Sequence, residues 1–407
     1  MSASTQWISV IGVDDAGLEA LPDPLRNMVE NADVIFGGER HLAMLGEHPG
    51  ERHGWRWPLV DTMADIEAQR GKNVVVLATG DPQWYGIGST LGRYFSPDDL
   101  QVCPAISAFS LAASKLGWPI AACETVTLHG RPLALLERHI YPRAKVLALS
   151  EDHQTPEVVA RWLSERGFGE SQITVLEHLG GARENIRSTK ASAFSLADIA
   201  DLNTLAIECV ADEGAVWNGP GVGLRDDSFA NDQQITKQIV RAATLGQLSP
   251  FPGGLLWDVG AGCGSVAIEW MRQGGRAVAI EARSDRCKLI DENRKRFGLP
   301  ALKMIEGRAP DALSDLETPD AIFIGGGLSE TGVFDACWKA LQPGGRLVAN
   351  MVTLESEQFA LALQAKLGGT LNRISLDTAS PVGAFRGWRP SMPVLQWSVR
   401  KISGDAP

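Results

Sequence analysis

Leu255-Leu256-Trp257-Asp258-Val259-Gly260-Ala261-Gly262-Cys263-Gly264-Ser265 is an apolar run that closes in three alternate glycines, and Val266-Ala267-Ile268-Glu269-Trp270 behind it reads as the start of a helix. A parallel strand buried on both faces looks like such a run. The glycines let the backbone turn sharply and lie close to a ligand, and the helix N-terminus offers free N–H groups. Further on, Ala277-Val278-Ala279-Ile280 reads as a second strand that ends in Glu281, where doubly wound folds grip a ribose. The spacing is G-x-G-x-G rather than the dinucleotide G-x-G-x-x-G. Asp258, just before the loop, would sit badly beside a pyrophosphate and well beside the amino group or sulfonium of S-adenosylmethionine. The alternative, a tight strand–helix turn with no ligand, does not account for the glycines, Asp258 and Glu281 occurring together.

At 407 residues the chain has room for about two or three domains. An apolar content of 44% and a charged content of 21% describe an ordinary globular protein with an ample core. The net charge of −11 argues against nucleic acid or an anionic membrane as partner, though a local arginine cluster can still meet an anionic small molecule. The six cysteines are scattered, with no C-x-x-C and no Cys/His cluster, so neither a disulfide framework nor a metal site is expected. There is no basic-then-apolar leader and no membrane-length apolar run, so the expected location is cytoplasmic.

Going back to the start, Trp7–Val13, Val34–Phe36, Asn73–Ala78 and Leu100–Cys103 read as strands, with helices over 22–32, from Gly88 toward Phe95, and up to Leu116. Strands alternating with helices imply a parallel sheet. Past Trp118-Pro119 the pattern restarts, with strands at Thr125–Leu128, Lys145–Leu149, Ile173–Glu177 and Leu202–Val210 and a helix over 156–166. These give two α/β lobes, roughly 1–118 and 119–211, with a cleft between them suited to a small molecule. Residues 212–232, rich in Gly, Asp and Asn, read as a linker region, and 233–407 as a Rossmann-like domain. Within it helices are expected over 234–245, 284–297, 330–341 and 354–367, strands over 302–305, 320–324 and 346–350, and two final antiparallel segments over 370–379 and 393–401.

Four pieces of the first half occur in order: Val10-Ile11-Gly12-Val13; Ala78-Thr79-Gly80-Asp81-Pro82 with Tyr85-Gly86; Pro104-Ala105-Ile106-Ser107-Ala108; and Leu128-His129-Gly130-Arg131. Together they make residues 8–211 resemble the tetrapyrrole (uroporphyrin/precorrin) methylases. One departure is Gly12-Val13-Asp14-Asp15-Ala16-Gly17, where that family usually has Gly-x-Gly-Pro-Gly. Residues 219–402 resemble the decarboxylating precorrin methyltransferases, through Gly221-Val222-Gly223-Leu224, Ile235-Thr236-Lys237, the glycine stretch, Gly307-x-Ala309-Pro310 and Ile324-Gly325-Gly326-Gly327. Arg308 stands where that turn usually carries an acid. Both halves in one chain resemble the precorrin-6Y methyltransferase (decarboxylating) family.

The resemblance implies a small-molecule tetrapyrrole substrate, methylated at carbon 5 by the first half and at carbon 15 by the second, which also decarboxylates the ring C acetate, in cobalamin biosynthesis. It implies one S-adenosylmethionine per domain. Gly12, Gly80, Asp81 and Ser107 would line one site. Thr236, Asp258, Gly260, Ala261, Gly262, Cys263, Gly264, Glu281, Gly307, Ala309 and Gly325 would line the other. The substrate's acetate and propionate groups make arginines and flat aromatics of interest. Substrate-binding candidates are therefore Tyr85, His129, Arg131, Arg386, Trp388 and Arg389. Each has a plainer reading: Asp81 as a helix cap, His129 and Arg131 as surface groups, and 386–389 as a solvated hairpin. No catalytic residue and no metal ligand is assigned. A homo-oligomer is expected, with a tetramer as one candidate. The competing functions are an RNA methyltransferase and a protein with one regulatory half. All seven histidines precede residue 212, so the second half has no imidazole for acid–base work.

Overall fold

A computed structural model describes residues 6–402. The chain forms two compact units. One holds the described residues through Leu133 and His139–Trp217; the other holds Ala134–Arg138 and the described residues from Asn218 onward.

The first unit contains two sheets. β1 (Ile8–Val13), β2 (Val34–Phe36), β3 (Glu51–His53), β4 (Val74–Thr79) and β5 (Leu100–Cys103) lie in the order β3-β2-β4-β1-β5, all parallel. β1 and β4 are central and almost wholly buried, which is why they read as unbroken apolar runs. The second sheet has the order β6-β7-β10-β8-β9, built from β6 (Glu124–Thr127), β7 (Lys145–Leu149), β8 (Gln172–Glu177), β9 (Asn185–Lys190) and β10 (Asn203–Glu208). Only β6 and β7 pair in parallel; the rest is antiparallel. The expectation of a parallel sheet thus holds for the first lobe and not for the second. The cause is β9, Asn-Ile-Arg-Ser-Thr-Lys, a polar and largely exposed edge strand that gives no apolar signal and folds back on β8.

In the second unit, β11 (Leu255–Val259), β12 (Arg276–Glu281), β13 (Lys303–Glu306), β14 (Ala321–Ile324) and β15 (Arg346–Met351) are parallel. β16 (Thr370–Ile374) and β19 (Val394–Arg400) complete the order β13-β12-β11-β14-β15-β19-β16, with β19 antiparallel to both neighbours. Strand order reverses between β11 and β14, the switch point at which α/β sheets bind ligands. The last two expected segments become four strands, because β17 (Asp377–Val382) and β18 (Phe385–Pro390) form a separate hairpin.

The segment expected as the last part of a linker is built into this unit. Leu224, Phe229 and Ile235 are buried in its core. Above them lies an ion pair with no solvent exposure to speak of, Arg241 at 0% and Glu269 at 1%. Arg241 Nε donates to Glu269 Oε1 at 2.5 Å, Nη1 donates to Asp226 Oδ1 at 3.1 Å and to the Thr236 carbonyl, and Nη2 donates to the Leu224 carbonyl. Glu269 also accepts the N–H groups of Gly223 and Leu224, the latter at 3.1 Å. Asn293 fixes Ala230 at both its N–H and its carbonyl (2.8 and 2.9 Å) and donates to the Cys263 carbonyl at 3.0 Å. With those anchors the helix starts later than expected, as Gln238–Leu248. Removing one member of such a pair leaves the other charge buried, so Glu269→Ala is expected to destabilise the second unit by about 3–5 kcal/mol. Denaturant unfolding followed by tryptophan fluorescence checks this, and a loss below about 1 kcal/mol would show the pair to be dispensable.

Candidate functional site

In the second unit the loops that leave β11 and β14 run side by side at the carboxyl edge of the sheet. Gly325 N–H donates to the Val259 carbonyl at 2.9 Å, and a Cβ on Gly260 (φ +70°) would lie 3.3 Å from Gly326 N. The loop is held down by bonds from Gly260 and Ala261 N–H to the Ile280 carbonyl. A Cβ on Gly262 (φ +61°) would meet only the Gln234 carbonyl, at 4.0 Å, so that face of the loop is open. Glu281 is buried, and its Oε2 accepts Gly262 N–H at 2.8 Å while Oε1 accepts Arg283 N–H at 3.0 Å. Gly307 N–H donates to the Glu281 carbonyl at 2.9 Å, which brings the Gly307-x-Ala309 turn to the same edge.

Asp258 sits under this loop at 1% exposure. Its Oδ2 accepts Ala267 N–H at 3.0 Å, and its Oδ1 has no hydrogen-bond partner. An orphaned buried carboxylate oxygen below an open glycine loop fits a ligand that brings a cationic group. Burial pushes the Asp258 carboxyl up to about 7 against the opposing Ala267 N–H, and the nearby charge of Glu281 pushes the same way.

In the first unit the corresponding edge is formed by β1, β4 and β5. A Cβ on Gly12 would lie 2.0 Å from the Gly80 carbonyl oxygen and 2.5 Å from Ala105 N, so the three loops touch backbone to backbone. Gly80 N–H donates to the Val13 carbonyl at 2.9 Å, and Ala105 N–H to the Gly80 carbonyl at 3.2 Å. A small cavity opens here, lined by Asp14, Asp15, Arg40, Thr79, Gly80 and Asn203 on its polar side, with Ile106, Leu111, Leu176 and Leu179 on the other.

Residues 8–194 match the family model described as tetrapyrrole (corrin/porphyrin) methylases, and residues 227–401 the one described as precorrin methyltransferase domain. A Sinorhizobium precorrin-6Y C(5,15)-methyltransferase (decarboxylating) is 46% identical over 398 residues, covering 97% of this chain and 96% of its own. The chain belongs to the decarboxylating precorrin-6Y C(5,15)-methyltransferase family. A Mycobacterium tuberculosis member is 39% identical over 401 residues, covering 97% of this chain and all of its own (100%). The crystal structure of the C-terminal domain of the Rhodobacter capsulatus member is 48% identical, covers 45% of this chain and 99% of that one, and superposes with a TM-score of 0.43.

Gly12, Gly80 and Ser107 stand together at the first edge, although Ser107 Oγ already caps the helix Ala108–Leu116 by accepting Ser110 N–H at 3.1 Å. Asp81 accepts Gln83 N–H at 2.8 Å in a local turn, and the helix that follows is capped by Gly86, so the plainer reading of Asp81 as its cap does not hold. Tyr85, in a left-handed conformation (φ +60°), donates its hydroxyl to the Thr125 carbonyl at 3.0 Å and packs edge-on to Phe109. It therefore stitches the two lobes together. His129 is exposed, 3.6 Å from Glu151, and Arg131 is exposed as well. Arg386, Trp388 and Arg389 all lie on β18 and are exposed. Strand alternation puts Arg386 and Trp388 on one face and Arg389 on the other, so the hairpin cannot turn all three toward one ligand. Arg308 is paired with Glu330 at 3.1 Å, which supplies from the neighbouring loop an acid beside this turn. Asp14, Asp15, Arg40 and Thr79 line the cavity without being among the expected site residues; the departure of the 12–17 loop from the family pattern marked Asp14 and Asp15, Thr79 stands within the Ala78–Pro82 piece, and Arg40 had no signal.

Below about 7 the folded, ligand-free protein keeps Asp258 protonated, whereas the unfolded chain ionises it near 3.8. The folded state thus holds an extra proton between those values, and this group's contribution to stability falls as pH rises through the window. A cation docked on Asp258 would reverse the preference and expel the proton. Calorimetric titration of S-adenosylmethionine at pH about 6, in buffers of different ionisation heat, is expected to show proton release that Asp258→Asn abolishes. Heats that do not change with the buffer would count against this role.

Proposed function

We propose that this chain methylates a precorrin at carbons 5 and 15 and removes the carboxyl group of the ring C acetate, in cobalamin biosynthesis. The observation that carries the reading is that one chain holds two separate glycine-lined crevices, each at the carboxyl edge of a parallel sheet and each within a different methyltransferase match. In this reading residues 1–211 act at carbon 5, residues 233–407 act at carbon 15 and decarboxylate, and each half binds one S-adenosylmethionine. S-adenosylmethionine supplies, when bound, a methyl group activated by its cationic sulfur.

The chain's own residues then have little covalent chemistry to perform. The reduced macrocycle provides an enamine-like carbon, and orientation of the reacting carbon against the methyl lowers the barrier by several kcal/mol. In the second unit Asp258 would hold the donor's amino end, Glu281 its ribose, and the turn at Gly307 and Ala309 would border the adenine. Decarboxylation needs no imidazole, and the second unit has none. Once the ring is protonated or methylated next to the acetate arm, the conjugated macrocycle accepts the electron pair left by carbon dioxide and the side-chain carbon then takes up a proton, while the protein keeps the acetate ionised and shielded from water until it leaves.

A homo-oligomer, with a tetramer as one candidate, also belongs to this proposal. It is supported by the hairpin β17–β18, which leaves Val382, Phe385 and Trp388 exposed by 63%, 81% and 76%. None of the helices in the described residues is long and apolar enough to cross a membrane, and we place the protein in the cytoplasm.

Incubation of the full chain with S-adenosylmethionine and a late precorrin is expected to add two methyl groups and release one carbon dioxide, read by mass. Gly262→Trp, which fills the open face of the second crevice, is expected to abolish carbon dioxide release and one methyl addition and to spare the other. Loss of both methylations, or decarboxylation at the unaltered rate, would sink the division of labour. Phe385→Glu with Trp388→Glu is expected to lower the mass measured by light scattering; a monomer before any substitution would sink the assembly.

A further inference from the structure

The first crevice carries a polar cluster that no expected site residue belongs to. Asp15, in the loop after β1, is engaged at both oxygens: Oδ1 accepts from Arg40 Nη1 at 3.2 Å, and Oδ2 lies 3.0 Å from His178 Nδ1. Arg40 Nη2 donates to Thr79 Oγ1 at 2.9 Å and lies 3.2 Å from His41 Nε2. Burial, with Arg40 alongside, holds the His41 imidazole down to about 4, so it accepts from Arg40. Three segments thus meet on one guanidinium, the loop after β1, the helix Glu39–Ala43 and the end of β4, and the residue that follows β8 joins them through Asp15.

The arrangement is held from behind. His178 has φ +48°, uncommon for a residue with a side chain, and its N–H is fixed to the Leu202 carbonyl at 3.1 Å. Gly181 leaves Asp15 its space, since a Cβ there would stand 2.4 Å from Asp15 Oδ2 and 2.9 Å from its Cβ. In front, Arg40 and Asp14 both line the cavity. Of a guanidinium's five N–H donors, the three contacts above use three, and two are left. Asp14 Oδ1 accepts Ala16 N–H at 3.0 Å, and the Asp14 side chain makes no other hydrogen bond with the described chain.

We propose that Arg40 is the carboxylate-binding residue of the first crevice, and that Asp15 and His178 are positioning residues that keep its guanidinium at the cavity. The N–H groups left over, one on Nε and one on Nη1, lie on different edges of the guanidinium, so each offers a carboxylate a single charge-assisted hydrogen bond. This rests on the proposed function, which brings two carboxylates to the crevice: the α-carboxylate of the methyl donor, whose ammonium group would then fall to Asp14, or an acetate or propionate arm of the tetrapyrrole.

The test uses the full chain, with donor affinity from two-site calorimetry and methyl transfer at varied tetrapyrrole concentration. Arg40→Met is expected to weaken either the donor's Kd at one site or the KM for the tetrapyrrole by about tenfold or more, with kcat nearly unchanged. Arg40→Lys should recover part of the loss. Asp15→Asn and Gly181→Ala, which touch neither free donor, should show the same split in weaker form. If donor affinity falls and Asp14→Asn weakens it too, the carboxylate is the donor's. If only the tetrapyrrole KM rises and Asp14→Asn is silent, it is the substrate's. Carbon dioxide release, the work assigned to the second unit, should hold in every variant. Arg40→Met with both constants within about twofold of the unaltered chain, or with a fall in kcat alone, overturns the proposal. Failure of the unaltered chain to add two methyl groups overturns the function instead.

Discussion

Backbone pressed against backbone at the carboxyl ends of neighbouring parallel strands is the constraint on which both units depend. Gly12 meets the loops of Gly80 and Ala105 in one unit, and Gly260 meets Gly326 in the other. A side chain at either glycine would wedge the strand ends apart and disturb the bonds that level them, Gly80 to Val13 and Gly325 to Val259. With the loops that close, Gly80 shares the first crevice with side chains such as Asp14, Arg40 and Ile106, and Gly262 keeps one face of its loop open in the second unit.

Buried charge separates scaffold from site in the second unit. Arg241 and Glu269 are both removed from solvent, and between them they satisfy carbonyls, N–H groups and one another. A pair engaged at four of the guanidinium's five N–H groups and at both carboxylate oxygens, and removed from solvent, stabilises one arrangement. Arg241 and Glu269 stand on helices, whereas Asp258, on the central strand β11, is as deeply buried, yet one oxygen goes without a partner and the carboxyl is driven toward neutrality. A half-satisfied buried group is costly for folding alone and makes sense where something else completes it.

Where an element was legible, one physical signal dominated. The helix Leu354–Leu367 has the bounds its sequence predicts, because Thr353 caps it by accepting Ser356 N–H and glycines end it. The central strands were legible because burial on both faces leaves only apolar residues. β9 and β18 were not, since their side chains face water and their identity as strands comes from the partner across the ladder. Residues 218–232 looked like a linker for a similar reason. Their Gly, Asp and Asn content is that of a loop, and they become part of the unit through the burial of Leu224 and Phe229 and through bonds to Arg241, Glu269, Arg272 and Asn293.

By itself the sequence determined the two glycine crevices, Asp258 and Glu281, and the family. Gly260, Gly262 and Gly264 hold positive φ, a demand that the local backbone makes, whereas Gly12 must lack a Cβ because the Gly80 and Ala105 backbone stands against it. The cluster on Arg40 was decided by tertiary structure alone. Asp15 lies 25 residues from Arg40 and 163 from His178, and no spacing along a chain encodes a meeting of that kind. It arises because the two sheets of the first unit close on one another, and the partner of a charge is settled only when distant segments share the same space.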